Sequence, residues 1–183
     1  MGLAERSARV GQPAPTFKLP RAGGGSVSLT DAVHTGPAVI VFYRGEWCPF
    51  CNLHMHAFEK ALPKLQALGA TLIAISPEKP DYGQLLADEQ QLTFPVLSDL
   101  GNAVARRYGL VFQIDEETKE LFVGSFSNDL AERNGDDSWE LPVPATFVVD
   151  ASGIIRFAHV DADYLTGRAD PEEVLGVLRT LGE

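Results

Sequence analysis

Two apolar runs stand out from the polar background of the chain. "AVIVFY" (38–43) and "TLIAIS" (71–76) are unbroken, rich in β-branched residues and short. Such runs predict central strands buried on both faces. Between them Met55, Phe58, Leu62 and Leu65 recur at steps of 3, 4 and 3, a single core-facing helical stripe. Pro49 suits the first turn of that helix, where its missing N–H has no partner to lose. Pro63 falls inside the pattern and predicts a kink or break. Gly69 predicts the end. Pro80 and Asp81 open a second helix to about Leu92, "FPVLSD" (94–99) reads as a short strand and turn, and "NAVARRYG" (102–109) as another helix. Residues 110–143 are less regular, with helical hints at Leu121, Phe122, Phe126 and Leu130. "ATFVVD" (145–150) and "IIRFAHV" (154–160) flank "DASG", a hairpin turn. "PEEVLGVLRTL" (171–181) is a closing amphipathic helix, and residues 1–37 are a proline- and glycine-rich leading segment with a short strand at "SVSL" (26–29).

Strands alternating with helices, then a hairpin and a helix, predict an α/β fold with a mixed central sheet covered on both faces. The chain shows no internal repeat or linker, so residues 1–183 are expected to form one domain. Composition narrows the function. Apolar residues make up 45% and the formal net charge is −10. A globular acidic chain disfavours nucleic acid and anionic membranes as partners. No run approaches the ~18 apolar residues of a membrane span, and the start lacks the apolar stretch of a secretory signal. The expected location is cytoplasmic.

The only two cysteines, Cys48 and Cys51, stand in "YRGEWCPFC" (43–51), between the first strand and the first long helix. Active groups of open α/β sheets favour the carboxyl ends of strands. A helix N-terminus stabilises thiolate, and a spacing of three places both side chains on one face. In a reducing compartment this pattern points to redox or metal chemistry rather than a structural staple. A metal set would draw on Cys48, Cys51, His54 and His56, but one helix cannot point all four at one ion, and His54 and His56 read as partly exposed helix residues. Cys51 continues the buried stripe four residues before Met55. Cys48 lies a turn earlier at the helix lip, so helix geometry makes Cys48 the exposed nucleophile and Cys51 its sheltered partner.

At these residues the chain resembles the peroxiredoxin family of the thioredoxin superfamily, in its alkyl hydroperoxide reductase and thiol-specific antioxidant (AhpC/TSA) branch, and within it a Cys-x-x-Cys subgroup. "GQPAPTFKLP", "VFYRGEWCPFC", "LIAISPE", "FPVLSD" and "PATFVVDASGIIRFAHVD" follow one another in the family's order. The resemblance implies a thioredoxin fold with a peroxiredoxin-type N-terminal extension. It also implies reduction of a hydroperoxide through thiol chemistry, a thioredoxin-type or glutathione reductant, no metal or organic cofactor, and a homodimer. Laid on this chain, the family motif puts Cys51 at the peroxidatic position, Cys48 where a Thr would stand and Arg44 where a Pro would stand. The arginine that the family places before its "TF" strand is replaced by Val143, Pro144 and Ala145. Arg44 is a compensating cation on this reading, although Glu46 two residues on opposes it.

The same residues also resemble thioredoxin and glutaredoxin. Trp47 before Cys48 matches a "WC" start, and Val143-Pro144 falls where those folds hold a cis-proline beside the disulfide. That places Val143 backbone groups, with Trp139, in a groove open to a substrate strand and makes a protein disulfide the alternative substrate. A redox sensor without turnover is a third reading. Which cysteine attacks first stays open: helix geometry nominates Cys48 and motif position nominates Cys51. Elsewhere, "DEE" (115–117) reads as a solvated face or helix start and "NGDD" (134–137) as a turn, while His34 and His159 show no partner.

Overall fold

The computed structural model describes residues 6–161 and 167–182. A leading hairpin of β1 (Lys18–Pro20) and β2 (Ser26–Ser28) runs into α1 (Leu29–His34), whose first turn is capped by the Ser28 hydroxyl. The chain then enters β3 (Ala38–Phe42), α2 (Pro49–Ala67), β4 (Thr71–Ser76), α3 (Pro80–Glu89) and β5 (Val96–Ser98). A 3-10 turn leads into α4 (Ala103–Arg107), followed by β6 (Val111–Gln113), α5 (Glu116–Gly124), α6 (Leu130–Asn134) and β7 (Glu140–Pro142). β8 (Ala145–Val149), β9 (Ile155–Val160) and α7 (Pro171–Leu181) close the fold.

The central sheet has the order β5-β4-β3-β8-β9. β3, β4 and β5 are parallel; β8 and β9 are antiparallel additions beyond β3. This is the mixed sheet expected from the alternation of apolar runs, and all five β3 residues are buried. Period 2 divides that strand between two cores. Val39 and Val41 face Met55, Phe58, Leu65 and the α7 residues Val174 and Leu178. Ile40 and Phe42 face Phe17, Leu29, Tyr108 and Phe147 on the other side. The leading segment is stitched to the sheet by the Pro13–Ile154 bridge and by Gly11 N–H donating to the Ile155 carbonyl. No helix among the described residues is long and apolar enough to cross a membrane.

Pro63 does not break α2, which runs through it. An interior proline costs about 3 kcal/mol. Burial of the neighbouring Leu62 and Leu65 returns about 1.5–3 kcal/mol each, enough to hold the helix together. Gly69 does end the helix, with φ of +75°. The irregular middle contains a two-stranded ribbon, β6 paired with β7, that no apolar run announced. Asp115 caps α5 by accepting from the Thr118 N–H, so the acidic triplet is a helix start.

Candidate active site

The site forms where the chain leaves β3. Tyr43 is fully buried and its N–H donates to the Ile75 carbonyl at 3.0 Å, extending the strand pairing by one residue. Residues 44–47 then form a tight loop, and Cys48 takes an extended backbone (φ −93°, ψ 106°) as N-cap of the 19-residue α2. Gly45 has to be a glycine for steric reasons: a Cβ there would lie 2.3 Å from Trp47 Nε1 and 2.8 Å from Glu78 Oε1. Polar contacts fix the loop. The Glu46 N–H donates to the Glu78 carboxylate at 2.8 Å, and Asn52 Nδ2 donates to the Glu46 carbonyl at 2.8 Å. Arg133 Nη1 reaches both carboxylates, Glu46 at 2.9 Å and Glu78 at 3.3 Å. Glu78 lies after β4 and is completely buried. Burial pushes its carboxyl up to about 7, against the opposing pull of the Glu46 N–H and Arg133.

Both cysteines are free thiols and both are buried. Cys48 Sγ accepts from Arg44 Nη2 at 3.2 Å, and Cys51 Sγ accepts from Arg168 Nη2 at 3.5 Å. The Cys51 thiol also donates to the Cys48 sulfur. That hydrogen bond, with the Arg44 charge, brings Cys48 down to about 5 in spite of its burial. Cys51 moves the other way: burial and the neighbouring Cys48 sulfur push it well up, and Arg168 opposes them. These opposite shifts favour the negative charge on Cys48, at the positive end of the helix, and the proton on Cys51. The Arg44 guanidinium also lies 5.2 Å from the centre of the Trp47 ring.

A cleft of about 900 Å³ opens beside this loop. Trp47, Phe50, Phe112, Phe122 and Phe126 give it apolar walls, and Arg44 lies in its lining. Trp47 packs edge-on against Phe122 with ring centres 5.1 Å apart. The cleft thus reaches the guanidinium that touches the Cys48 sulfur.

A model of the AhpC/TSA family matches residues 10–158. The chain belongs to that family. A Mycobacterium tuberculosis (strain H37Rv) protein named as a candidate peroxiredoxin is 39% identical over 100 residues, which are 54% of this chain and 62% of the relative. The chloroplastic peroxiredoxin Q of Populus jackii is 31% identical over 149 residues, 81% of this chain and 59% of the relative. The chain therefore spans less than two thirds of the length of these curated relatives. Among solved structures, peroxidoxin BcpB from Mycobacterium tuberculosis superimposes with a TM-score of 0.76 over 94% of this chain and 97% of that one, at 20% identity. The AhpC/TSA chain thus has the thioredoxin fold of peroxiredoxins.

Of the residues singled out in the AhpC/TSA sequence, Arg44, Trp47, Cys48 and Cys51 meet in one place. The exposed Cys48 is corrected: the Trp47 loop and the Arg44 side chain cover it. Glu46 does not oppose Arg44, because it turns away to Arg133. Val143 and Pro144 do border the active strand, since Ala145 pairs with Phe42. However, no peptide bond among the described residues is cis, so the expected cis Val143–Pro144 bond is trans. Nor is the Val143 N–H open to a substrate strand: it donates to the Leu110 carbonyl at 2.8 Å, just before the β6–β7 ribbon. Trp139 packs into a small core with Leu130 and Leu141 instead of lining a groove.

Sequence reasoning missed four residues. Arg168 and Arg133 lie far from the cysteines in sequence, in segments without periodicity. Glu78 follows the "TLIAIS" run with no local signal that marks it as a loop anchor. His54 was read as partly exposed, yet it is buried and its Nε2 donates to the Ala169 carbonyl at 2.9 Å. Burial brings the His54 imidazole down to about 4, so it is neutral. The reach of Arg168 is a tertiary fact; the buried His54 was signalled by its place beside Met55 on the stripe. Among the described residues no group of three or more His, Cys, Asp or Glu is placed to hold a metal ion.

Proposed function

We propose that this AhpC/TSA protein is a thiol peroxidase in which Cys48 attacks first and Cys51 resolves. The observation that carries the reading is the Arg44–Cys48 contact at the helix N-terminus, beside an apolar cleft. The Cys48 thiolate attacks the distal oxygen of a hydroperoxide. The O–O bond breaks, the alcohol leaves with a proton, and Cys48 becomes a sulfenic acid. Arg44 is placed to hold both the thiolate and the developing alkoxide. Cys51 then attacks the Cys48 sulfur, expelling water and forming the Cys48–Cys51 disulfide. A thioredoxin-type dithiol or glutathione returns two electrons.

The low thiol pKa of Cys48, against the high one of Cys51, favours this order over the one that motif position suggests. The engaged Val143 N–H favours peroxide over a protein disulfide, because a substrate strand would find that donor taken. Rapid multiple turnover separates an enzyme from a sensor. The deciding experiment compares Cys48→Ser and Cys51→Ser with an alkyl hydroperoxide and with a model disulfide. Cys48→Ser is expected to abolish peroxide consumption. Cys51→Ser is expected to consume one equivalent and to leave a sulfenic acid on Cys48. Sulfenic acid on Cys51 in the Cys48→Ser protein would reverse the assignment.

A further inference from the structure

Two guanidiniums meet the thiol pair: Arg44 touches Cys48 and also faces Cys51, and Arg168 touches Cys51. Arg44 belongs to the loop that carries Cys48, whereas Arg168 arrives from the segment between β9 and α7. Residues 167–170 around the arginine are tied down. His159 Nε2 donates to the Gly167 carbonyl, His54 Nε2 donates to the Ala169 carbonyl at 2.9 Å, and Asp170 forms the capping box of α7. His54 stands three residues beyond Cys51 on α2, buried edge-on against Phe58 with ring centres 4.9 Å apart. One helix face therefore carries both Cys51 and the residue that fixes the backbone beside its cation.

The groups facing Cys51 are Cys48 and Arg44 from the loop, Tyr43 from the end of β3, and Arg168. Tyr43 is neutral through burial, as is His54 further along the same helix. In the resting pair the negative Cys48 sulfur works against Arg168 and keeps the proton on Cys51. Conversion of Cys48 to a sulfenic acid removes that negative charge, while both guanidiniums remain.

We propose that Arg168, positioned through His54, is the catalytic cation of the resolving step, stabilising Cys51 as a thiolate once Cys48 has been oxidised. The role rests on the order of attack proposed above. In that step the Cys51 thiol gives its proton to solvent and its sulfur attacks Cys48 Sγ. The S–S bond forms as the S–O bond breaks, and hydroxide leaves and takes up a proton as water. Cys51 is oxidised and the sulfenic sulfur reduced, so no further oxidant enters. Oxidation of one thiol thereby prepares the other.

The test isolates Cys51 in the Cys48→Ser protein, where a neutral residue stands in for the oxidised cysteine. Iodoacetamide alkylation of Cys51 is followed against pH with Arg168 intact, with Arg168→Lys, with Arg168→Gln and with His54→Ala. Removing an opposite charge at this distance moves a thiol midpoint by about one to three units, so Arg168→Gln is expected to raise it and to slow alkylation below the midpoint about tenfold or more. Arg168→Lys is expected to restore much of the shift, which a purely structural role would not. In the otherwise native chain, dimedone trapping is expected to show the Cys48 sulfenic acid living about tenfold longer with Arg168→Gln. An unchanged alkylation midpoint, or an unchanged sulfenic acid lifetime, overturns the role of Arg168. If Arg168→Gln does not fold, His54→Ala carries the test, an upward shift supporting the proposal and an unmoved midpoint overturning it. Dimedone found on Cys51 instead overturns the order of attack, and the resolving role with it, whatever the alkylation profile shows.

Discussion

Arg44→Gln tests the electrostatics on which the active site depends. The guanidinium lies 3.2 Å from Cys48 Sγ and is buried with it, so salt screens the pair little. At an effective dielectric constant of about 20, the Coulomb relation gives at most about 5 kcal/mol for unit charges at that distance. Measured neighbours of this kind move a pKa by about one to three units. With the native thiol at about 5, the Arg44→Gln thiol is expected to titrate between about 6 and about 8. At pH 6 the thiolate fraction falls from about 90% to between about 50% and about 1%, so alkylation slows between about twofold and about ninetyfold.

The assay is iodoacetamide alkylation against pH in the Cys51→Ser protein. Serine leaves one reactive thiol and keeps a hydroxyl donor toward the Cys48 sulfur. Arg44→Lys retains the charge and is expected to fall between the two. The substitution also takes the guanidinium off the Trp47 ring, and near-ultraviolet circular dichroism checks that the loop survives. A folded Arg44→Gln protein with an unmoved midpoint would rule out the guanidinium as a cause: the depressed thiol would then owe its state to the helix terminus and the serine hydroxyl alone.

Two further predictions concern the loop support. Glu78 is held above its ordinary 4.5 at about 7, so its contribution to stability is full below 4.5 and is lost as pH rises through 7. That difference amounts to about 3 kcal/mol. Glu78→Gln is expected to flatten this part of the stability curve in urea unfolding at several pH values, and a curve parallel to that of the native protein would contradict it. Gly45→Ala places a Cβ against Trp47 and Glu78. It is expected to cost about 1–3 kcal/mol and to slow Cys48 alkylation; native-like values of both would show that the loop can relax around it.

Local signals carried the skeleton of the molecule. The β-branched runs at 38–43 and 71–76 became β3 and β4, and the 55–58–62–65 stripe became the buried face of α2. Gly153 closes the β8–β9 turn with φ of +82°. These elements answer to periodicities of two to four residues, which neighbours in sequence set. The β6–β7 ribbon failed that test because its three-residue strands are stabilised by pairing across 31 positions, Val111 to Pro142. Pro63 failed it in the other direction: local chemistry asked for a break, and burial of Leu62 and Leu65 outweighed it.

The site divides along the same line. Cys48, Cys51 and Arg44 stand in one nine-residue stretch, enough to foresee two thiols opening a helix beside a cation. A strand end and a helix start dictate that arrangement locally. The rest of the pair's electrostatic surroundings comes from distant parts of the chain. Arg168 reaches Cys51 from 117 positions away, Arg133 draws Glu46 off Arg44, and His54 turns inward to hold Ala169. Electrostatic energy depends on distance and burial in three dimensions, and neither is written in residue spacing. Motif position and helix geometry disagreed about the first nucleophile, and the Arg44 contact together with the burial of Cys51 favours Cys48.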